Sequence, residues 1–596
     1  MATESTLTAM FWARVAAGAH APAQVVRQGG SWITLSRAQV GDRVRELALG
    51  LLARGRQRGD GVALLSGSRA EWVQTDFAIL SAGCVTVPIY ATYTSAQVAS
   101  LVNDADARML IVEDRSQLDK ALAARAQMPR LQDIVLIEGE AAEPGVLTGE
   151  RLRRLGRERE LELGGRLAER LASVGSNDVA TIVYTSGTGG EPKGVVQTHG
   201  NHMATLEALA RLPGIEPGDV HLLFLPLAHS FARAEAFLGV HRGLVTAFAT
   251  GVETLRGDLL AVRPHFLFAV PRVFEKFHAA ILAAVEAGTP LERRAFGWAM
   301  RVGLETSRRR RAGEPLTPGQ WLRHRLADRL VLARLRRPLG GRLRFAVSGG
   351  APLAKPLAEF FHAAGVLILE GYGLTEACPV LTVNRIDRFK FGSVGPPIHG
   401  VELRVGADGE ILARGPNIAH RGYLNRPEAT AEAFGTDGWF KTGDVGQIDE
   451  DGFLYLTDRK KDLIVTSGGA NIAPQHLENL LRSDPFISQA LVYGDRRPYP
   501  TALIEVSAQE LSRFAQAQGI LDGDYAQLVR HPTVVRRVGQ IVEAKNAEVQ
   551  SHARVKKFAL VPAEFTEAAG EMTPTQKVKR RVVAVRYAAL LESLYE

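Results

Sequence analysis

Short, largely apolar runs recur along this chain, with helical spacing between several of them, and that rhythm restricts the fold more than any other feature. Val62–Leu65, Val85–Ile89, Met109–Val112 and Ile134–Ile137 form a first set; Leu222–Leu225, Val245–Phe248, Phe266–Val270, Leu343–Val347 and Val366–Leu369 form a second. Four or five apolar residues without polar alternation fit a strand covered on both faces, as in the sheet of an α/β layer. A chain of 596 residues is also too long for one core and should divide into several domains or subdomains. Ahead of the first set the pattern predicts an entry helix, a hairpin-like stretch around Trp32–Thr34 and a helix over roughly Arg37–Arg54. A connector of mixed charge, Thr148–Glu160, separates the two sets.

Four of the predicted strands end beside unusual polar groups. Tyr184–Gly194 reads YTSGTGGEPKG after apolar Ala180, Ile182 and Val183. Its glycines accept left-handed dihedrals and let a ligand approach closely. Such a turn can aim successive N–H groups at one anion, and the hydroxyls of Thr185, Ser186 and Thr188 with the charge of Lys193 complete a cradle for a polyphosphate. It departs from the usual phosphate loop, because Gly194 and two valines follow Lys193 where a Ser/Thr would open a helix. By itself the stretch reads equally well as a Gly/Ser-rich surface turn. The other three ends are Pro226-Leu-Ala-His229, Ser348-Gly-Gly350 and Glu370-Gly-Tyr-Gly-Leu-Thr-Glu376. Ligands of open α/β sheets sit outside the carboxyl ends of strands, so four such ends suggest one crevice.

Between Leu291 and Leu339 the pattern turns helical and strongly basic. Residues 291–345 hold fifteen arginines against four acidic groups, densest at Arg308–Arg311, while the whole chain carries a formal charge of only +8. Such a segment attracts an anionic surface, although a solvated helix face accounts for it as well; no nucleic-acid motif accompanies it. After Ser393 the strands become short and punctuated by Gly and Asp, including Val401–Val405, Glu410–Ala413 and Phe453–Leu456. Beyond the charged segment Asp458–Asp462 a strand Leu463–Thr466 and strands at Ala490–Val492, Ala502–Val506 and Lys557–Val561 suggest an α+β module. The two cysteines, Cys84 and Cys378, allow neither a disulfide scaffold nor a cysteine metal site, and their apolar or glycine-rich surroundings argue against catalysis. The N-terminal stretch lacks the pattern of a signal peptide and no run approaches a membrane span. The expectation is therefore a cytoplasmic protein, with peripheral contact to the inner face of the cytoplasmic membrane left open.

In these motifs the chain resembles the adenylate-forming acyl-CoA synthetases, and among them the long-chain fatty-acid–CoA ligases. The resemblance rests on Tyr184–Gly194, Leu225-Pro-Leu-Ala-His-Ser-Phe-Ala-Arg233, Tyr372-Gly-Leu-Thr-Glu376, Gly438-Trp-Phe-Lys-Thr-Gly-Asp444 and Asp458–Asn471, in that order, with Lys577 near the end. It implies an α/β fold: a large N-terminal domain over residues 1–458, with a basic helical insert at 286–340 and a β-rich subdomain at 393–458, and a small mobile α+β domain over 459–596 hinged at Lys461. It implies ATP, Mg2+ and coenzyme A as reaction partners of a long-chain fatty acid.

The resemblance also assigns roles. Thr185, Ser186, Gly187, Thr188 and Lys193 hold the leaving phosphates; a glycine at 189 removes one hydroxyl that the commoner pattern has. Glu376 with the hydroxyl of Thr185 matches the magnesium ligands. Tyr372, Gly373 and Thr375 on one side and Gly350, Ala351 and Pro352 on the other enclose adenine. Asp444 and Arg459 match the groups that meet the ribose hydroxyls, and Lys577 matches the lysine that bridges the carboxylate and the α-phosphate. Gly468 and Gly469 fit the turn brought against the pantetheine arm, and no protein nucleophile is required. His229 is expected near the substrate carboxylate, with Phe231 on the tunnel side. Arg233 stands where some long-chain relatives carry a tryptophan gate, so a gate here would work differently, by an ion pair with a mobile group. Arg272 is a candidate for a structural pair. A fatty acyl-AMP ligase, a medium-chain or aryl-CoA ligase, and a non-catalytic lipid- or nucleotide-binding protein remain as alternatives, as does either a monomer or a homodimer.

Overall fold

The computed structural model describes residues 4–185, 192–251, 253–435, 437–467, 471–520, 523–573 and 577–596. Two large sheets organise the first three-fifths of the chain. An eight-stranded sheet runs in the order Val380–Val383, Leu367–Gly373, Phe345–Ser348, Phe266–Ala269, Val220–Leu223, Val245–Phe248, Pro22–Gln28 and Ser31–Ser36. It is parallel through its middle and antiparallel at both edges. A seven-stranded sheet runs Val146–Thr148, Asp133–Leu136, Ala107–Val112, Gly61–Leu65, Val85–Ile89, Val179–Thr185 and Lys193–Thr198. The expected apolar runs supply the buried strands of both, and helices cover their faces. Gly61–Leu65 and Val85–Ile89 are buried at every position, which explains why they carry no polar alternation.

Local chemistry fixes where helices begin. Ser36 and Gln39 cap the helix Arg37–Ala53 reciprocally, as Thr94 and Gln97 cap Ser95–Asp104. Prolines at the first turn open Pro271–Glu286, Pro290–Arg311 and Pro318–Ala327, the last two forming the basic segment. The expected connector Thr148–Glu160 is instead a helix, Gly149–Glu158, packed on Arg37–Ala53. Gly156 makes this approach close: a Cβ there would lie 2.0 Å from the Glu46 carbonyl oxygen. Arg153 and Arg157 then pair with the Glu46 carboxylate at 2.7 and 3.0 Å. Charges that suggested a solvated link are thus consumed in a helix–helix seam.

The remainder is a four-stranded antiparallel sheet, Glu402–Val405, Glu410–Arg414, Phe440–Ile448 and Leu454–Arg459, followed by a smaller α+β part. That part has a three-stranded sheet, Ile487–Tyr493, Thr501–Val506 and Lys557–Leu560, with its own apolar core. The expected strand Leu463–Thr466 shrinks to Ile464–Val465, paired with Asn471–Ile472. The architecture is a large α/β domain with mixed sheets and a smaller α+β C-terminal domain. No helix among the described residues is long and apolar enough to cross a membrane.

Candidate active site

The four strand ends named above open onto one cavity of about 1730 Å³, walled on its far side by the C-terminal part. Thr185 and Lys193 face each other across the antiparallel pair on either side of the glycine-rich stretch of the sequence. Ser186, Gly187, Thr188 and Gly189 lie outside the described residues. Lys193 holds its Nζ 4.9 Å over the ring of Tyr423. The Tyr423 hydroxyl donates to Glu376 Oε1 at 2.7 Å, so the cation of the turn and the carboxylate are braced on one aromatic side chain. Burial, then the neighbouring Glu376 charge, pushes the Tyr423 phenol up and keeps it a donor.

Glu376 and Thr375 sit in a single 3-10 turn after the strand Leu367–Gly373. The Gln197 side chain donates to the Thr375 carbonyl at 2.6 Å, tying this turn to the strand Lys193–Thr198. Only glycine serves at 373, because a Cβ there would lie 1.8 Å from the Pro379 carbonyl oxygen. Tyr372 lines the cavity and its hydroxyl donates to Asp444 Oδ2 at 2.6 Å, while Arg459 Nε meets Asp444 Oδ1 at 2.8 Å. Each carboxylate oxygen keeps a further lone pair, so Asp444 can still accept from a diol. Gly350, Ala351 and Pro352 form the opposite lip of the same cavity.

His229 lines the cavity at the start of the helix Ser230–Arg242, where its Nδ1 accepts from the Phe231 backbone N–H at 3.2 Å. That acceptor role leaves the proton on Nε2. Burial, then the Lys577 charge, pushes the imidazole down to about 4, so it is neutral at ordinary pH. Lys577 keeps solvent contact within the cleft, yet protein surrounds it. Crowding and the charge of Arg459 push its ammonium down to about 8, against the pull of Asp444. Lys461 lies on the rim beside Arg459. Gly468 and Gly469 fall outside the described residues. Both thiols are buried, with burial pushing Cys84 up to about 12 and Cys378 upward as well, so neither is a ready nucleophile.

Arg233 departs from expectation. It is 1% exposed, and its guanidinium forks onto Asp76, Nε to Oδ2 at 2.9 Å and the second nitrogen to Oδ1 at 2.7 Å. A third bond reaches Thr181, and the rings of Trp72 and Phe237 flank it. Its partner stands on the buried helix Ala70–Ser81, so no mobile group is available to it and it is a core pair. Arg272 pairs with Glu275 at 3.2 Å and donates to Ser488 Oγ at 2.7 Å, which joins the large domain to the C-terminal one.

The magnesium expected at this site would find one carboxylate, Glu376, and the hydroxyl of Thr185. No cluster of three His, Cys, Asp or Glu that could hold a metal exists among the described residues. A sparse oxygen set suits Mg2+, which keeps waters and shares phosphate oxygens, so the residues present fit. Sequence reasoning passed over Tyr423 because nothing in Arg421-Gly-Tyr-Leu424 announces a ligand-side role; only the pairing of Tyr423 with Val195 brings it there.

Comparison with known proteins gives one family. The description "AMP-binding enzyme" matches residues 11–424, and "AMP-binding enzyme C-terminal domain" matches residues 461–596. A long-chain-fatty-acid–CoA ligase, FadD15 of Mycobacterium bovis, is 40% identical over 572 residues, covering 95% of this chain and 93% of that protein. The long-chain-fatty-acid–CoA ligase ACSBG2 of Xenopus laevis is 30% identical over 605 residues, covering 96% and 81%. Among solved structures, the anthranilate CoA ligase AuaEII in complex with anthranoyl-AMP superposes with a TM-score of 0.74 at 20% identity, covering 100% of this chain and 99% of that one.

Proposed function

The chain belongs to the AMP-binding enzyme family, and on that premise we propose that it is an AMP-forming long-chain fatty-acid–CoA ligase working in two steps. In the first, a fatty-acid carboxylate oxygen attacks the α-phosphorus of ATP; the bond to the bridging oxygen breaks and pyrophosphate leaves. In the second, the thiolate of coenzyme A attacks the acyl carbon, the bond to AMP breaks, and acyl-CoA and AMP depart. The observation that carries this reading is the meeting of Lys193, Glu376, Asp444, Arg459, His229 and Lys577 around one cavity. That cavity also has an apolar extension beside Leu212, Ile215, Phe268 and Phe345. Each methylene buried there contributes about 0.8 kcal/mol, so a long chain is bound by its length.

Two anions must approach in the first step, so positioning and neutralisation set the rate. Lys193 faces the departing phosphates. Lys577 bridges the attacking carboxylate and the α-phosphate as a point charge on a flexible stem. Asp444, ordered by Tyr372 and Arg459, holds the ribose. Neutral His229 offers its Nε2–H to the carboxylate without adding charge. Glu376 and Thr185 would hold Mg2+, which supplies charge neutralisation at the phosphates when bound. Residues 459–596 turn about Lys461 after adenylate forms, withdrawing Lys577 and admitting the thiol.

We also assign a peripheral membrane contact to the helix Pro318–Ala327, whose Trp321, Leu322 and Leu326 are exposed among arginines. An anionic bilayer is the surface that matches both the charge and the apolar stripe. A panel of carboxylates from acetate to stearate, with aromatic acids, assayed for AMP and thioester with and without coenzyme A, tests the activity. Thioester formed chiefly from the long chains is the expected result. Acyl-AMP accumulating in the presence of coenzyme A would instead favour a fatty acyl-AMP ligase, and no release of AMP or pyrophosphate with any acid would reject both.

A further inference from the structure

The cavity continues well past the nucleotide end. Ser230, Ala234 and Leu238, four residues apart on the helix Ser230–Arg242, line it together with Phe231 and Glu235. Positions four apart share a helix face, so the cavity follows this helix from Ser230 to Leu238, a rise of about 12 Å.

On this apolar wall Glu235 is out of place. It is 3% exposed. Its Oε1 meets His221 Nδ1 at 2.8 Å, and His221 Nε2 meets Thr246 Oγ1 at 2.9 Å, which fixes the carboxyl from behind. Gly239 makes room for this row, since a Cβ there would lie 2.8 Å from Thr246 Oγ1 and 3.1 Å from His221 Nε2. The other oxygen, Oε2, is buried without a hydrogen-bond partner. A buried carboxyl oxygen left unpaired is costly, and the activation chemistry at the His229 end makes no use of it. A carboxyl held rigidly on a helix that walls the acyl cavity, its side chain 1% exposed and one oxygen satisfied by no protein group, is a polar point that a ligand of matching chemistry can complete once the wall yields to it.

We propose that Glu235 Oε2 receives a hydroxyl carried part-way along the acyl chain, so that mid-chain hydroxylated fatty acids are among the acids this protein selects. The inference rests on the fatty-acid reading of the site. A hydroxyl donates to an ionised carboxylate oxygen and accepts from a protonated one, so it satisfies Oε2 in either state. From His229 to Glu235 the helix rises by about 9 Å, which an extended alkyl chain covers in roughly seven carbons. A plain methylene at that depth leaves Oε2 unpaired, and sites built to hydrogen-bond a hydroxyl discriminate against analogues that lack it.

The test compares kcat/KM for stearate with a positional series of monohydroxystearates, in the wild type, in E235Q, and in the double variant H221F/E235L. The double variant removes both members of the buried pair, so neither is left alone, and E235Q keeps the shape and part of the polarity. In the wild type one isomer, hydroxylated near roughly the seventh carbon, is expected to exceed stearate by about tenfold, the worth of satisfying one buried polar group. The ratio should fall towards one in the double variant and to an intermediate value in E235Q. No positional optimum in the wild type, or the same ratio in all three proteins, would mean that no acyl hydroxyl meets Oε2 and would overturn the proposal. Absence of turnover in the wild type with stearate and with every hydroxystearate would overturn the fatty-acid reading itself, and this proposal with it, so the two failures are told apart.

Discussion

Arg233 shows how a single side chain can be assigned the wrong job from its place in a motif. Its position suggested a gate, but a guanidinium that is 1% exposed and forked onto an equally buried Asp76 belongs to the core. Breaking such a pair from one side leaves a buried charge uncompensated. R233M is therefore expected to lower stability by about 3–5 kcal/mol in chemical denaturation, and R233M/D76L by much less. A gate residue would behave in the opposite way, altering chain-length preference at nearly wild-type stability. Lys577 yields a second expectation. Crowding and Arg459 hold its ammonium near pH 8 in the free protein, so the charge is present below that pH and lost above it. The kcat/KM of adenylate formation, which reports the free enzyme, should fall on the alkaline side with a midpoint near 8. Thioester formation from supplied acyl-AMP should lack that fall. The charged groups of the site stood out in the sequence because chemistry at phosphate demands them. Tyr423 and Glu235 did not, since a tyrosine between two strands and an acid on a helix have many ordinary uses.

Elements were legible in proportion to how completely they are buried. Val85–Ile89 and Val245–Phe248 coincide with their apolar runs because each is a covered strand. The helix Gly149–Glu158 was hidden, since its neighbour-facing arginines resemble solvent-facing ones until Glu46 is placed beside them. The basic segment was read as one unit, but its structure separates two faces. At the end of the helix Pro290–Arg311, Arg309 is engaged by Glu314 at 3.2 Å, and Arg311 by Glu359 at 3.6 Å with the Phe391 ring below it. On the next helix, by contrast, Trp321, Leu322 and Leu326 are 50%, 64% and 49% exposed. Each such side chain contributes about 1.5 kcal/mol or more when fully transferred from water. The triple variant W321S/L322S/L326S should thus weaken binding to anionic vesicles by about tenfold or more, measured by co-sedimentation. Substituting Arg308–Arg311 should cost less, and equal binding by the triple variant and the wild type would leave this helix as a merely solvated one.

At the scale of the whole molecule, the activity proposed depends on where the C-terminal domain rests against the large one. In the present arrangement Arg272 reaches Ser488 at 2.7 Å, and Arg482 lies 3.8 Å from Glu275. Lys577 then stands in the cavity with Asp444, Arg459 and His229. Four polar strand ends suggested one crevice, but the packing of two sheets and a later domain around it could not be read from local pattern, because such contacts join residues hundreds of positions apart. The most direct test of the account is to measure the two half-reactions separately in K577A. Adenylate formation should fall by about a hundredfold or more, while acyl-AMP supplied from outside should still be converted to acyl-CoA at most of the wild-type rate. Equal loss in both half-reactions, or full retention of the first, would contradict it.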